Sequence, residues 1–247
     1  MKNYQKETLG DRLAEIYDQF TNDDELVDTD ELVAYLFELV GTGRALELGV
    51  GTGRVAIPLA SKGTRVSAVE ISERMIEKFG EKPGSELVNV IYGDFVSAPY
   101  GGPYDLIYCP FNTFLEVTDA AEQLSCLGNI AKSLTPDGKF VLDCFVPDLT
   151  LFDRGQLTRT FYLSGDEVRI ETAIHDPIAQ RIESVYVYLS EDRVKLYPVE
   201  VRYIWPSELD AMARSVGLSL EGRFGGYDLS VFDAESKSHV SIFGVSP

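Results

Sequence analysis

The sequence predicts an α/β fold, a parallel sheet with helices on both faces, and three observations carry that reading. Residues 45–146 alternate apolar runs with helical patterns through five strands, as crossover connections between parallel strands require. The first strand runs straight into Gly49, Gly51 and Gly53, and a helical pattern follows at once. After Pro147 the texture changes: residues 159–204 hold runs rich in Tyr, Val, Ile and Arg with no helical period, which reads as an antiparallel insert.

Taken in order, residues 9–20 predict an amphipathic helix with Leu13, Ile16, Tyr17 and Phe20 on one face. Thr29 is placed to cap a second helix, whose apolar face is Leu32, Val33, Leu36, Phe37 and Val40 and which Gly41 and Gly43 end. Strand 45–49 and the glycine turn lead to a helix from about Arg54 to Ser61, with Pro58 in its first turns, where a missing N–H is tolerated. Strand 65–70, helix 72–80, strand 87–92 and strand 104–109 follow. Helix 119–134 is stopped by Thr135-Pro136-Asp137-Gly138, and strand 139–145 ends near Pro147. In the insert, Asp176-Pro177 and Glu191-Asp192 read as turns. Pro206 opens a helix that Gly217 closes, and strands near 218–224 and 238–245 finish the chain. The organisation expected is one domain: N-terminal helices over 1–43, a binding half over 44–150, the insert over 159–204, and a C-terminal helix and strands over 205–247.

Bulk properties narrow the function. The chain has 247 residues and a net charge of −18, from 22 basic and 40 acidic side chains. Such a balance repels polyanions, which argues against nucleic acid and anionic membrane surfaces as partners. The acidic run Asp23-Asp24-Glu25 reads as a solvated face. Cys109, Cys126 and Cys144 form no metal-ligand spacing, so no metal is expected, and Cys109 and Cys144 sit in apolar runs as core residues do. The opening residues have no apolar stretch of the signal-peptide kind and no run is long enough to span a bilayer, which reads as a cytoplasmic protein.

In a parallel sheet, ligands sit beyond the carboxyl ends of the strands. The residues there are Gly49–Gly53, Glu70, Asp94, Pro110–Phe114 and Phe145–Asp148. Glycines let a ligand approach the backbone, which suits a nucleotide-like group. Gly51-Thr52-Gly53-Arg54-Val55-Ala56 also fits GxGxxA, so an NAD(P)-linked oxidoreductase is one reading. Glu70, 17 residues past Gly53, suits ribose hydroxyls in that or any other adenosyl ligand. Three features lean away from a dinucleotide. Glu47 would repel a pyrophosphate but suit an amine, the third strand ends in Gly93-Asp94-Phe95, and no second nucleotide-binding half follows.

Glu47-Leu48-Gly49-Val50-Gly51-Thr52-Gly53, Glu70, Gly93-Asp94-Phe95, Tyr104-Asp105-Leu106-Ile107 and Leu134-Thr135-Pro136-Asp137-Gly138-Lys139 together resemble a class I S-adenosylmethionine-dependent methyltransferase. The resemblance spans about residues 10–147 in order and continues to the C-terminal strands; the insert more loosely resembles glycine- and sugar-amine N-methylating enzymes. It implies a Rossmann-like seven-stranded methyltransferase sheet with an N-terminal helical lid, S-adenosylmethionine as cofactor and S-adenosylhomocysteine as product. By the same resemblance, Glu47 and Gly49 meet the methionine amino group, and Gly51 and Gly53 give backbone access. Glu70 binds both ribose hydroxyls, Ile71 packs on adenine, and Asp94 holds the adenine amino group with Phe95 beside it. Tyr17 caps the cofactor, and Arg54 approaches the methionine carboxylate or pairs with an acid on the surface.

The acceptor side is less defined. Methyl transfer is an in-line displacement that asks mainly for alignment and exclusion of water. An amine must arrive neutral, and a hydroxyl usually needs a base. Asn112 and Thr113, after the fourth strand, are candidates to orient an acceptor or to build a turn. His175 is the candidate general base, or a surface histidine beside a turn, and His239 reads as structural. Tyr186, Tyr188, Tyr197, Tyr203 and Trp205 make the insert aromatic, and Gly225-Gly226-Tyr227-Asp228 is a loop placed to border the same mouth. The expectation is methyl transfer to a small molecule, at N or O rather than C, with a homodimer through the insert. A non-catalytic cofactor-binding protein is the alternative from another class.

Overall fold

A computed structural model describes residues 1–2, 4–18 and 28–246. Phe20 and the acidic run at 23–25 lie outside the described residues. Eleven strands form two sheets among the described residues. Five parallel strands come from the alternating part: β1 (Arg44–Leu48), β2 (Arg65–Glu70), β3 (Asn89–Tyr92), β4 (Tyr104–Cys109) and β5 (Leu134–Phe145). With β10 (Leu218–Phe224) and β11 (Ser238–Val245) they make a seven-stranded sheet in the order β10-β11-β5-β4-β1-β2-β3. Only β11 runs against its neighbours, antiparallel to both β5 and β10.

The alternation along each strand decides the two sides of the core. Leu46, Leu48, Ile107, Cys109, Phe140, Leu142 and Cys144 face one side, under α5 (Ala120–Ser133) and α6 (Pro206–Ser215). Ala45, Val66, Ala68, Leu106, Tyr108 and Val141 face the other, under α2 (Thr29–Val40) and α3 (Ala56–Ser61). All three cysteines are buried and free.

The insert is a four-stranded antiparallel meander of β6 (Gln156–Leu163), β7 (Glu167–Asp176), β8 (Arg181–Ser190) and β9 (Arg193–Arg202). Both expected turns are present; at the first, the Asp176 carboxylate accepts from the Ile178 and Ala179 N–H groups. Buried Arg202 ties the insert to the main body, donating to Gln123 on α5 at 2.6 Å and to Glu208 on α6 at 2.6 Å.

Four local expectations need correction. The helix expected over 9–20 is interrupted: α1 (Thr8–Leu13) gives way to a turn at 14–16, in which Ile16 N–H donates to Leu13 O, and Tyr17 and Asp18 are helical again before the chain leaves the described residues. Asp28, not Thr29, caps α2, because its carboxylate accepts from the N–H groups of Asp30 and Glu31. Helix α3 begins at Ala56 rather than Arg54, since the positive φ of Gly53 keeps the chain in the turn. The stop at Thr135–Gly138 is an excursion inside β5. Tyr104 pairs with Leu134 and Leu106 already with Lys139, so four residues on β5 are passed between these pairs.

The N-terminal segment lies between the two sheets. Ser72, which caps α4 (Glu73–Gly80), donates to Asp11 at 2.7 Å, and Thr52 in the glycine turn donates to Asp18 at 2.6 Å. Arg12 reaches the Leu196 carbonyl of β9. Leu13 and Ala14 are buried in a cluster with Met75 of α4 and Tyr197 of β9, against which Tyr17, Tyr186 and Tyr188 pack. The helical lid expected from the sequence is thus wedged under the insert.

Candidate active site

The glycine turn leaves β1 with Gly49, Gly51 and Gly53 at φ of 76°, 54° and 84°, a region L side chains rarely adopt. The three glycines also serve different neighbours. A Cβ on Gly49 would lie 2.5 Å from the Thr113 methyl, and one on Gly53 would lie 2.6 Å from Phe79. At Gly51 the only atom within reach among the described residues would be Cε1 of Tyr17, at 3.9 Å. Gly49 and Gly53 therefore permit protein packing, and Gly51 alone opens on a cradle walled by Tyr17.

Glu47 is the last residue but one of β1, with 2% exposure. It accepts a 3.0 Å hydrogen bond from Tyr108, its partner across β4. Burial pushes its carboxyl up to about 8, against the pull of Tyr108. Glu70, at the end of β2, accepts from Gly51 N–H at 2.8 Å with one oxygen and from the Ile71 and Ser72 N–H groups with the other. Burial raises it too, although these N–H groups oppose the shift. Its carboxylate holds the turn closed and keeps acceptor capacity on the oxygen facing Gly51. Ile71 and Phe95 are half-buried beside the ends of β2 and β3. Asp94 accepts from Val96 N–H with one oxygen and from Lys6 at 2.6 Å with the other, so the N-terminal segment reaches this end of the cleft as well.

Arg54 stacks on Phe111, its guanidinium carbon 3.8 Å from the ring centre. Its Nε is buried with no hydrogen-bond partner among the described residues. Phe111 and Asn112 both have positive φ, a costly pair for non-glycine residues. Asp143 of β5 explains it by accepting from both of their N–H groups, at 2.9 and 2.8 Å, and from the Tyr227 hydroxyl at 2.7 Å. The Asn112 side-chain oxygen accepts from Phe145 N–H at 2.6 Å. This residue holds the β4 turn on β5 and positions its neighbours.

The structure thus brings Tyr17, Glu47, Gly51, Arg54 and Glu70 around one cleft, with Ile71, Asp94 and Phe95 along its far edge. It sets His175 apart. That ring bonds the Tyr203 hydroxyl at 3.0 Å and packs on Phe152, at the root of the insert, with no contact to the glycine turn or Asn112 among the described residues. His239 is buried on β11, and burial lowers it to about 4.

Sequence reasoning missed Asp143, Tyr227 as its partner, and Glu116. The first two carried no signal beyond lying at a strand end and in a glycine loop. Glu116 did, as a lone carboxylate in the apolar run after β4.

The residues fit S-adenosylmethionine. An ammonium would suit Glu47, a carboxylate would suit Arg54 with its unpartnered Nε, ribose hydroxyls would suit Glu70, and Gly51 leaves room for the chain between them. A seven-stranded sheet with a single reversed strand, joined to this donor set, defines a Rossmann-like methyltransferase. The comparisons agree. Residues 45–138 match the methyltransferase domain family model. The CcbJ methyltransferase from Streptomyces caelestis superposes with a TM-score of 0.93 at 35% identity, over 99% of this chain and 100% of that one. The cypemycin N-terminal methyltransferase of Streptomyces sp is 28% identical over 80% of this chain and 81% of its own. SAM-bound CalS10 from Micromonospora echinaspora, an amino pentose methyltransferase, shares the fold at a TM-score of 0.71 and 15% identity, over 94% of this chain and 97% of its own. The chain belongs to the class I S-adenosylmethionine-dependent methyltransferases. It is an enzyme of that family, with S-adenosylmethionine as cofactor and S-adenosylhomocysteine as product.

Proposed function

We propose that the acceptor is a small-molecule amine, methylated at nitrogen. One observation carries this reading: the N-terminal segment and the insert meet through Leu13, Tyr17, Tyr186, Tyr188 and Tyr197, and β9 of the insert packs on the turn after β4. A space roofed on both sides suits a small substrate, and the net charge of −18 opposes a polyanionic one. The names of the cypemycin N-terminal and amino pentose enzymes favour nitrogen.

In this reading Glu47 and Gly49 hold the donor's amino group, Arg54 its carboxylate, and Glu70 its ribose. Asp94, with Ile71 and Phe95, holds the adenine, and the amino group of that ring shares or displaces Lys6. Tyr17 closes the cradle. When bound, the donor supplies a methyl group on a positively charged sulfur, already activated for displacement. The chain's own part is to exclude water and to align a neutral nitrogen with that carbon. Asn112 orients the acceptor wall, and His175, joined to Tyr203, lies at the root of the insert rather than in the cleft.

A panel of primary and secondary amines, matched alcohols and activated carbon acids, assayed by S-adenosylhomocysteine release, tests the acceptor. Turnover confined to amines is expected, and turnover of alcohols alone overturns the reading. A homodimer through the insert is proposed with it, from the exposed Phe161 and Leu163 of edge strand β6 and Ile174 of β7.

A further inference from the structure

Helical turn Thr113–Glu116 follows Asn112 directly and packs against β5 and β9. Its residues Phe114 and Leu115 are buried in the core, which leaves Glu116 held rigidly at the carboxyl edge of β4. Glu116 is half-buried, and no hydrogen bond or ion pair among the described residues reaches its carboxylate. Its charge is felt by the phenols of Tyr4 and Tyr17 in the N-terminal segment, and it feels that of Glu70. Tyr17 in turn walls the Gly51 cradle. The same turn sets the Thr113 methyl against Gly49 and packs on β9, so the carboxylate lies between the glycine turn and the insert, at the end of strand four.

The cations around it are committed elsewhere. Arg181 donates to the Thr118 carbonyl and pairs with Glu200 on β9. Arg54 is stacked on Phe111. Asp143, the titratable group from β5, is bonded to Phe111, Asn112 and Tyr227. A half-buried carboxylate left without a partner carries a cost, and the cost is offset when a cation arrives with the substrate.

We propose that Glu116 receives the acceptor: its carboxylate binds the protonated amine of the substrate, between the glycine turn and the insert, and takes a proton from its nitrogen. The proposal rests on the amine reading above and adds the group that makes that amine reactive. The ammonium gives one proton to a Glu116 oxygen, which leaves a neutral amine with its lone pair and a neutral carboxyl. Burial and the nearby Glu70 raise the Glu116 carboxyl to about 8, toward the range of an amine, as a proton acceptor for this task requires.

The test uses two S-adenosylhomocysteine analogues in which nitrogen replaces sulfur, one with a 3-aminopropyl arm and one with a butyl arm of the same size. Calorimetry on the full chain should show the aminopropyl analogue binding at least about tenfold tighter, the low end for a hydrogen bond to a charged group. The advantage should be larger at pH 8.5 than at pH 6.5, where Glu116 is protonated. Glu116→Gln should bring the two analogues to equal affinity while S-adenosylhomocysteine itself still binds within about threefold, inside the usual context-dependence of one contact. Glu116→Asp should recover part of the preference. No preference in the wild type, or a preference that survives Glu116→Gln, overturns the assignment. Loss of S-adenosylhomocysteine binding in Glu116→Gln does so too, because it moves the carboxylate into the donor site. The amine reading fails separately, on the acceptor panel.

Discussion

Single carboxylates set the chemistry of this cleft, and each is held by a different neighbour. Glu70 binds three backbone N–H groups around the glycine turn, so Glu70→Ala removes a clamp together with the proposed ribose partner. S-adenosylhomocysteine affinity should fall by about 1.5–3 kcal/mol, the range for hydrogen bonds to a charged group, and unchanged affinity by calorimetry rejects the role. Glu47 predicts a pH effect. Burial holds its carboxyl near 8, above the ordinary value of about 4.3. Between those values the native state keeps a proton that the unfolded chain has released, so this group's contribution to stability falls as pH rises through that window. Glu47→Gln should therefore raise the melting temperature of the unliganded protein more at pH 8 than at pH 5. Equal gains at both would mean that Glu47 is ionised throughout.

Two short connections position those groups. The turn at Phe111 and Asn112 pays for two positive φ values with four hydrogen bonds, from Phe111 and Asn112 to Asp143, from Tyr227 to Asp143, and from Phe145 to Asn112. Asn112→Ala loses the Phe145 bond and places a residue with a Cβ and no side-chain amide in the left-handed region. A loss of about 1–3 kcal/mol in urea unfolding is expected. A variant as stable as the parent would show that the turn does not depend on this side chain. The N-terminal lid hangs on Asp11–Ser72 and Asp18–Thr52 at its two ends. Thr52→Val should speed proteolytic cleavage of the N-terminal segment without lowering the melting temperature of the main sheet. Cleavage at the parental rate would place the lid's anchorage elsewhere.

At the scale of the whole molecule, the long insert and the parallel sheet are joined through Arg202, Gln123 and Glu208, and the lid fills the gap between them. The outer strand β6 is exposed along most of its length, and Leu163 there is 74% accessible. An apolar edge of this kind is a pairing surface. If two copies meet there, Leu163→Lys should turn a dimer into a monomer in light scattering, and a parent that is already monomeric removes the proposal.

The order of strands and helices, the glycine turn and the acids at the strand ends were legible from residue 45 onward, because period and glycine placement are local properties. Glu47, Glu70 and Asp94 could be located without coordinates for the same reason: each ends or punctuates a strand. The β5 excursion, the early end of α1 and the cap at Asp28 were not, since each is decided by competition between local hydrogen bonds that composition does not rank. Nor did sequence separate the glycines: Gly49 and Gly53 answer to Thr113 and Phe79, which only folding brings beside them. His175 looked the better base because histidine titrates near neutrality, yet the fold turns it toward Tyr203. Glu116 looked like any acid, and the fold leaves it half-buried and unpaired beside the donor cleft. The methyl donor was therefore readable along the chain, where its binding motif is nearly continuous. The proposed acceptor site became visible only when strand four, the lid and the insert came together around one carboxylate, because the reactivity of a side chain depends on what tertiary packing removes from around it.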